Sequence, residues 1–166
     1  MRAEHDGVPY HFVTTHLETQ RLAPVQAGQA AELINSVAAG LDGVTIVAGD
    51  LNSDAAHPGA PSWTPTYDAM IGAGFTDLWT RGQGSDDGYT CCQESDLRNV
   101  QSALDERIDF VMARDQSPEN GLQGATHIQL VGVEQIDRTS GGLWRADHAG
   151  LVAGLKAAPG QAADRP

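Results

Sequence analysis

The stretch Val44-Thr45-Ile46-Val47-Ala48-Gly49-Asp50-Leu51-Asn52-Ser53 decides the fold class. Val44 to Ala48 is a short, almost continuous apolar run, as suits a strand buried on both faces. It stops abruptly at a glycine and two Asx residues. Upstream, Pro9 to Leu17 is rich in β-branched and aromatic residues, which predicts another strand. Between them, residues 21–40 predict a helix, because Leu22, Val25, Ala30, Leu33, Ile34, Val37 and Leu41 recur at close to helical spacing. Pro24 sits in its first turn, where proline is tolerated, and Gly40 and Gly43 bracket its end.

Working downstream, residues 54–66 carry Pro58, Pro61 and Pro65 and predict a loop. Residues 67–73 predict a short helix closed by Gly74. Thr80 to Asn99 is polar and glycine-rich and reads as a long surface loop, the kind that often carries function. Strands are expected at Arg107 to Ala113 and Thr126 to Val133, and a final one from Leu143 to Leu155 that includes Asp147 and His148. There is no internal repeat and no linker. Strand, helix, strand, short helix and further strands imply an α/β layered fold. In such folds sites are built at strand ends. The domain is expected over residues 1–155, with 156–166, rich in Ala, Gly, Pro and Asp, as a disordered tail.

The net charge is −12, with 10 Lys and Arg against 22 Asp and Glu. Nucleic-acid binding through phosphates needs a basic patch, and these cations are scattered. Carboxylates can instead hold a divalent cation that faces a phosphate. The charge also serves to keep a surface soluble. No run approaches a membrane span, and residues 1–7 lack the apolar stretch of a signal peptide. Cys91 and Cys92 are adjacent, a spacing that rarely gives disulfide geometry and makes no zinc site, so they read as small residues near a strand. They do not decide the compartment.

Polar or charged groups sit beside apolar strands in four places: Thr15-His16-Leu17, Gly49-Asp50-Leu51-Asn52, Arg107-Ile108-Asp109 and Asp147-His148. Each has an ordinary structural reading. Asp50 and Asn52 could cap a turn. His16 could be a core histidine, Asp109 could pair with Arg107, and Asp147 could be an N-cap. Buried carboxylates need partners, however, and residues at successive strand ends could supply one another.

In this order, the four motifs resemble the C-terminal half of the endonuclease/exonuclease/phosphatase superfamily, which includes pancreatic-type DNases, abasic-site endonucleases, inositol-polyphosphate phosphatases and neutral sphingomyelinases. The resemblance implies a DNase I-like α/β sandwich, C-terminal half only, and metal-assisted phosphoester hydrolysis. It implies that His148 is general base or transition-state partner and that Asp109 orients it. Asp50 would orient or deprotonate the attacking water. Asn52 and His16 would hydrogen-bond the phosphate, and Asp147, with Asp50, would lie at the cation. The implied ion is Mg²⁺ or Mn²⁺.

Family members carry an earlier half that supplies a metal-binding glutamate. Glu4, the one glutamate before His16, stands in a context that does not match, and the role is not transferred to it. Three expectations follow: a fragment or mis-started gene product, a dimer or partner chain that covers the exposed sheet face, or a decayed relative. The first is preferred. The substrate is expected to be a phosphoester, a small molecule or lipid headgroup rather than duplex DNA. Residues 88–99, with Tyr89, Gln93 and Asn99, are the expected substrate-contacting stretch. Two other functions stand beside this one: a non-catalytic α/β interaction domain that keeps remnant site residues, and a zinc hydrolase using His16, His57 or His148.

Overall fold

The computed structural model describes residues 1–55, 59–81, 87–116 and 122–157. Strands β1 (Arg2–His5) and β2 (Val8–His16) form a hairpin. Its turn, Asp6 and Gly7, takes φ of 49° and 78°, the left-handed values that two-residue hairpins require. Helix α1 (Ala23–Glu32) follows a single 3₁₀ turn and continues as π-helical turns over Leu33–Ala38. Strand β3 (Val44–Asp50) comes next, parallel to β2, so these elements make one βαβ unit. Then come α2 (Thr66–Gly72), β4 (Thr76–Asp77), α3 (Leu78–Arg81), β5 (Asp109–Asp115), β6 (Leu122–Val131) and β7 (Gly150–Ala157).

The main sheet has the order β1-β2-β3-β5-β4, and β6 and β7 form a separate antiparallel pair. Side-chain alternation divides its two faces. Leu17, Val47, Phe110 and Met112 face the helical layer and meet Ala30, Leu33, Met70 and Phe75. Val8, Tyr10, Val44, Ile46 and Ala113 face the other way, toward Leu78 and toward Ile128, Ala153 and Leu155 of the β6–β7 hairpin. β3 is therefore covered on both sides, as its apolar run predicts. The cover thins along β2: Tyr10 is 8% exposed and Phe12 39%.

Gly49 is required where β2 and β3 approach, because a Cβ there would collide with the Thr15 carbonyl oxygen. Arg107 and Asp77 form a buried ion pair, and Asp77 Oδ2 also accepts from Tyr67 Oη at 3.1 Å. The Arg107 guanidinium lies 5.3 Å from the Phe110 ring centroid and 5.8 Å from that of Tyr67. Arg107 is thus spent on β4 and the helical layer, which leaves Asp109 to another partner.

The structure corrects several expected boundaries. β3 runs on to Asp50, and β5 starts at Asp109, two residues later than expected. β6 lies earlier, over Leu122–Val131. The last strand begins at Gly150 rather than Leu143 and continues to Ala157. Trp144 is buried, its Nε1 donates to Asn99 O at 2.9 Å, and its main-chain N–H donates to Leu97 O at 3.0 Å. These bonds hold Trp144 to residues 97–99 rather than to a neighbouring strand. Thr80–Asn99 is not a surface loop throughout, since Thr90, Cys91 and Gln93 are all buried. Most of the expected tail, residues 158–166, lies outside the described residues, as does His57. Among the described residues, no helix is long and apolar enough to cross a membrane.

Candidate active site

The register of three strands brings the predicted residues together. His16 on β2 lies opposite Asp50 on β3, and Asp50 lies opposite Asp109 on β5. All three occupy the hairpin-side face, since they share parity with Tyr10, Ile46 and Ala113. The row forms because β2, β3 and β5 all reach the same edge of the sheet.

His148 enters from the loop before β7. Its Nδ1 lies 2.8 Å from Asp109 Oδ2. That hydrogen bond, foremost, raises the His148 pKa above the ordinary imidazole value; burial opposes it, and the negative charges of Asp109, Asp50 and Asp147 add to it. Asp109 thus favours the imidazolium.

Asp50 plays both parts that the sequence left open. Its Oδ1 accepts the Asn52 N–H at 2.7 Å, an Asx turn that closes β3. Its Oδ2 lies 3.4 Å from His16 Nε2. Burial, first, and the charge of Asp109 raise the Asp50 pKa, while the Asn52 N–H and the two histidines oppose the shift. Asn52 has φ of 48°, a left-handed value that asparagine tolerates, and its Nδ2 donates to Leu17 O at 2.9 Å. One of its two amide protons is therefore committed to the end of β2.

Asp50, Asp109 and His148 each place a potential ligand atom within 4.8 Å of the others. Among the described residues, no lysine or arginine forms an ion pair with either carboxylate; their pairs are with His16 and His148. Two neighbouring, largely buried carboxylates without a fixed cationic side chain suit a divalent cation, and two carboxylates completed by water and substrate oxygens are a common donor set for Mg²⁺. Asp147 is exposed beside this group and is not one of the three.

Residues 88–99 differ most from expectation. Gln93 is 6% exposed, and its Oε1 accepts from Asn99 Nδ2 at 2.7 Å and from Ala103 N at 2.9 Å. Gln93 and Asn99 thus hold a folded loop together instead of facing a substrate. Tyr89 alone of the three is exposed. Cys91 is buried as expected, but Cys92 is exposed. Cys92 Sγ lies 3.8 Å from His148 Nε2, so these cysteines and His148 form a second cluster at the site.

Two residues that sequence reasoning passed over support the site. Gln26 is fully buried; its Nε2 donates to Glu18 O and Asn52 O, both at 2.7 Å, and its Oε1 accepts from Thr64 and Thr66. It ties α1 to the loops that follow β2 and β3. Thr90 packs behind Asp109. A glutamine inside an amphipathic helix gave a signal for the first, but nothing local distinguishes the threonine.

No protein-family model matches the sequence, and no curated protein matches it. Solved structures do. The D. rerio TDP2 complexed with single strand DNA product superposes with a TM-score of 0.66 at 18% identity, covering 93% of this chain and 59% of that one. An endonuclease/exonuclease/phosphatase family protein from Leptotrichia buccalis gives 0.60 at 15% identity, covering 93% and 52%. An endonuclease/exonuclease/phosphatase from Beutenbergia cavernae gives 0.59 at 22% identity, covering 92% and 37%. The chain therefore has part of the endonuclease/exonuclease/phosphatase fold, the DNase I-like α/β sandwich, and spans little more than half the length of the first of these structures.

Proposed function

We propose that this chain carries one side of a metal-dependent phosphoesterase site. The observation that supports it most is the row His16–Asp50–Asp109, completed by the 2.8 Å contact from Asp109 to His148. Asp50 orients the attacking water and takes its proton as the new oxygen–phosphorus bond forms and the bond to the leaving oxygen breaks. His148, oriented by Asp109, and His16 hydrogen-bond the phosphoryl oxygens as negative charge grows on them. Asn52 offers its remaining amide proton to the same oxygens. Asp50 and Asp109, with Asp147 alongside, would hold Mg²⁺ or Mn²⁺. When bound, that ion neutralises charge on the phosphoryl group.

The substrate we propose is a small phosphoester or a lipid headgroup. The single-strand DNA product belongs to the zebrafish protein; here 22 acidic residues against 10 basic ones favour a substrate with few phosphates. The open end of the hairpin-side face, marked by Phe12, would take a second protein layer from another copy or a partner chain. Hydrolysis of bis-p-nitrophenyl phosphate with Mg²⁺ or Mn²⁺, stopped by chelator and by His148→Ala, tests the function. A purely interacting domain would show no such turnover.

A further inference from the structure

Asp109 and His148 are 39 residues apart and reach each other from different segments. Between those segments lies a short splint, Thr90 and Cys91. Cys91 bridges antiparallel to Glu106 on one side and to His148 on the other. Thr90 N donates to Glu106 O at 2.7 Å, and Thr90 O accepts from Ala149 N at 2.8 Å. The Thr90 hydroxyl oxygen accepts two consecutive main-chain N–H groups, from Ile108 at 3.2 Å and Asp109 at 3.1 Å. Thr90 is 0% exposed, so water cannot take the place of those bonds. One residue therefore contacts the backbone of Asp109 through its side chain and that of Ala149, next to His148, through its carbonyl.

We propose that Thr90 is a positioning residue that fixes the distance between Asp109 and His148. It touches neither substrate nor reacting atoms and acts through the pair. Its effect on turnover rests on the phosphoesterase reading, whereas its effect on the pair's geometry does not. The chemistry singles out the hydroxyl: valine has nearly the same shape, but it would leave two buried N–H groups without an acceptor. Catalytic groups lose effect steeply with misplacement, on the order of 10²-fold for about 1 Å.

The experiment compares the full chain with Thr90→Val, Thr90→Ser and Thr90→Ala. The first readout is the nitrogen NMR shifts of the His148 ring, which report the proton-bearing nitrogen and its hydrogen bond. The second is kcat and KM on bis-p-nitrophenyl phosphate. Thr90→Ser should keep the wild-type ring shifts, while Thr90→Val and Thr90→Ala lose the hydrogen-bonded Nδ1–H signature. With turnover present, kcat should fall about 10- to 100-fold in the latter two, with KM within about 2-fold of wild type. Ser and Ala both lack the methyl group, so their comparison isolates the hydroxyl even where Val does not fold. Identical ring shifts in Ser and Ala variants would overturn the proposal. Altered shifts in Ala alone, in a chain with no turnover, would uphold the positioning independently of the phosphoesterase reading.

Discussion

Asp109 Oδ2 lies 2.8 Å from His148 Nδ1, and the bond raises the pKa of the imidazole. A group whose folded pKa is raised stabilises the fold fully below its unfolded pKa, about 6.5 for histidine, and loses that contribution as pH rises through the folded value. The stability gap between wild type and Asp109→Asn should therefore be wider at pH 5.5 than at pH 8.5. Urea denaturation at both values checks this. A gap that widens toward alkaline pH would contradict the pairing.

Asp50 is 9% exposed and its pKa is raised, with burial as the largest cause. By the same sign rule its ionisation at neutral pH costs stability. Asp50→Asn keeps the oxygen that accepts the Asn52 N–H and removes the charge. The variant should melt higher at pH 7, by roughly 2–4 °C for about 1 kcal/mol, while hydrolysis is lost. Calorimetry alongside the assay checks both, and a lower melting temperature would contradict the account of this residue.

If Asp50 and Asp109 hold the cation, Mn²⁺ should bind more weakly when either is neutralised. Electron paramagnetic resonance of free Mn²⁺ during titration should show at least a roughly 10-fold weaker affinity in Asp50→Asn and Asp109→Asn, since each removes one of few oxygen donors. Affinity equal to wild type in both variants would move the ion elsewhere.

Gly49 is the contact that brings His16 into line with Asp50. Gly49→Ala forces a Cβ against the Thr15 carbonyl, which is backbone and cannot swing aside. A loss of roughly 1–3 kcal/mol is expected, the usual range for overpacking. Thermal unfolding measures it, and an unchanged melting temperature would mean that the strands are further apart than they stand here.

Much of this was legible in the sequence because apolar runs and periodicity specify buried strands and amphipathic helices directly. The β2–α1–β3 unit and the places of His16, Asp50 and Asp109 at strand ends follow from such signals. The rest depends on tertiary pairing. Whether Asp109 would bond Arg107 or His148 was open, and it is settled by Asp77, whose burial beside Tyr67 claims the arginine. Residues 88–99 looked solvent-facing because polar composition does not reveal that Gln93, Asn99 and Ala103 satisfy one another. The final strand was placed too early because Trp144 is apolar and buried like a strand residue, yet its bonds run to Leu97 and Asn99.

The most direct test of the central claim is hydrolysis of bis-p-nitrophenyl phosphate by folded protein, with Mg²⁺ or Mn²⁺, with chelator, and with His148→Ala. Metal-dependent turnover that falls about 10²- to 10⁴-fold in the variant, the usual worth of a positioned acid or base, is the predicted result. Turnover that survives both chelator and His148→Ala unchanged would contradict it.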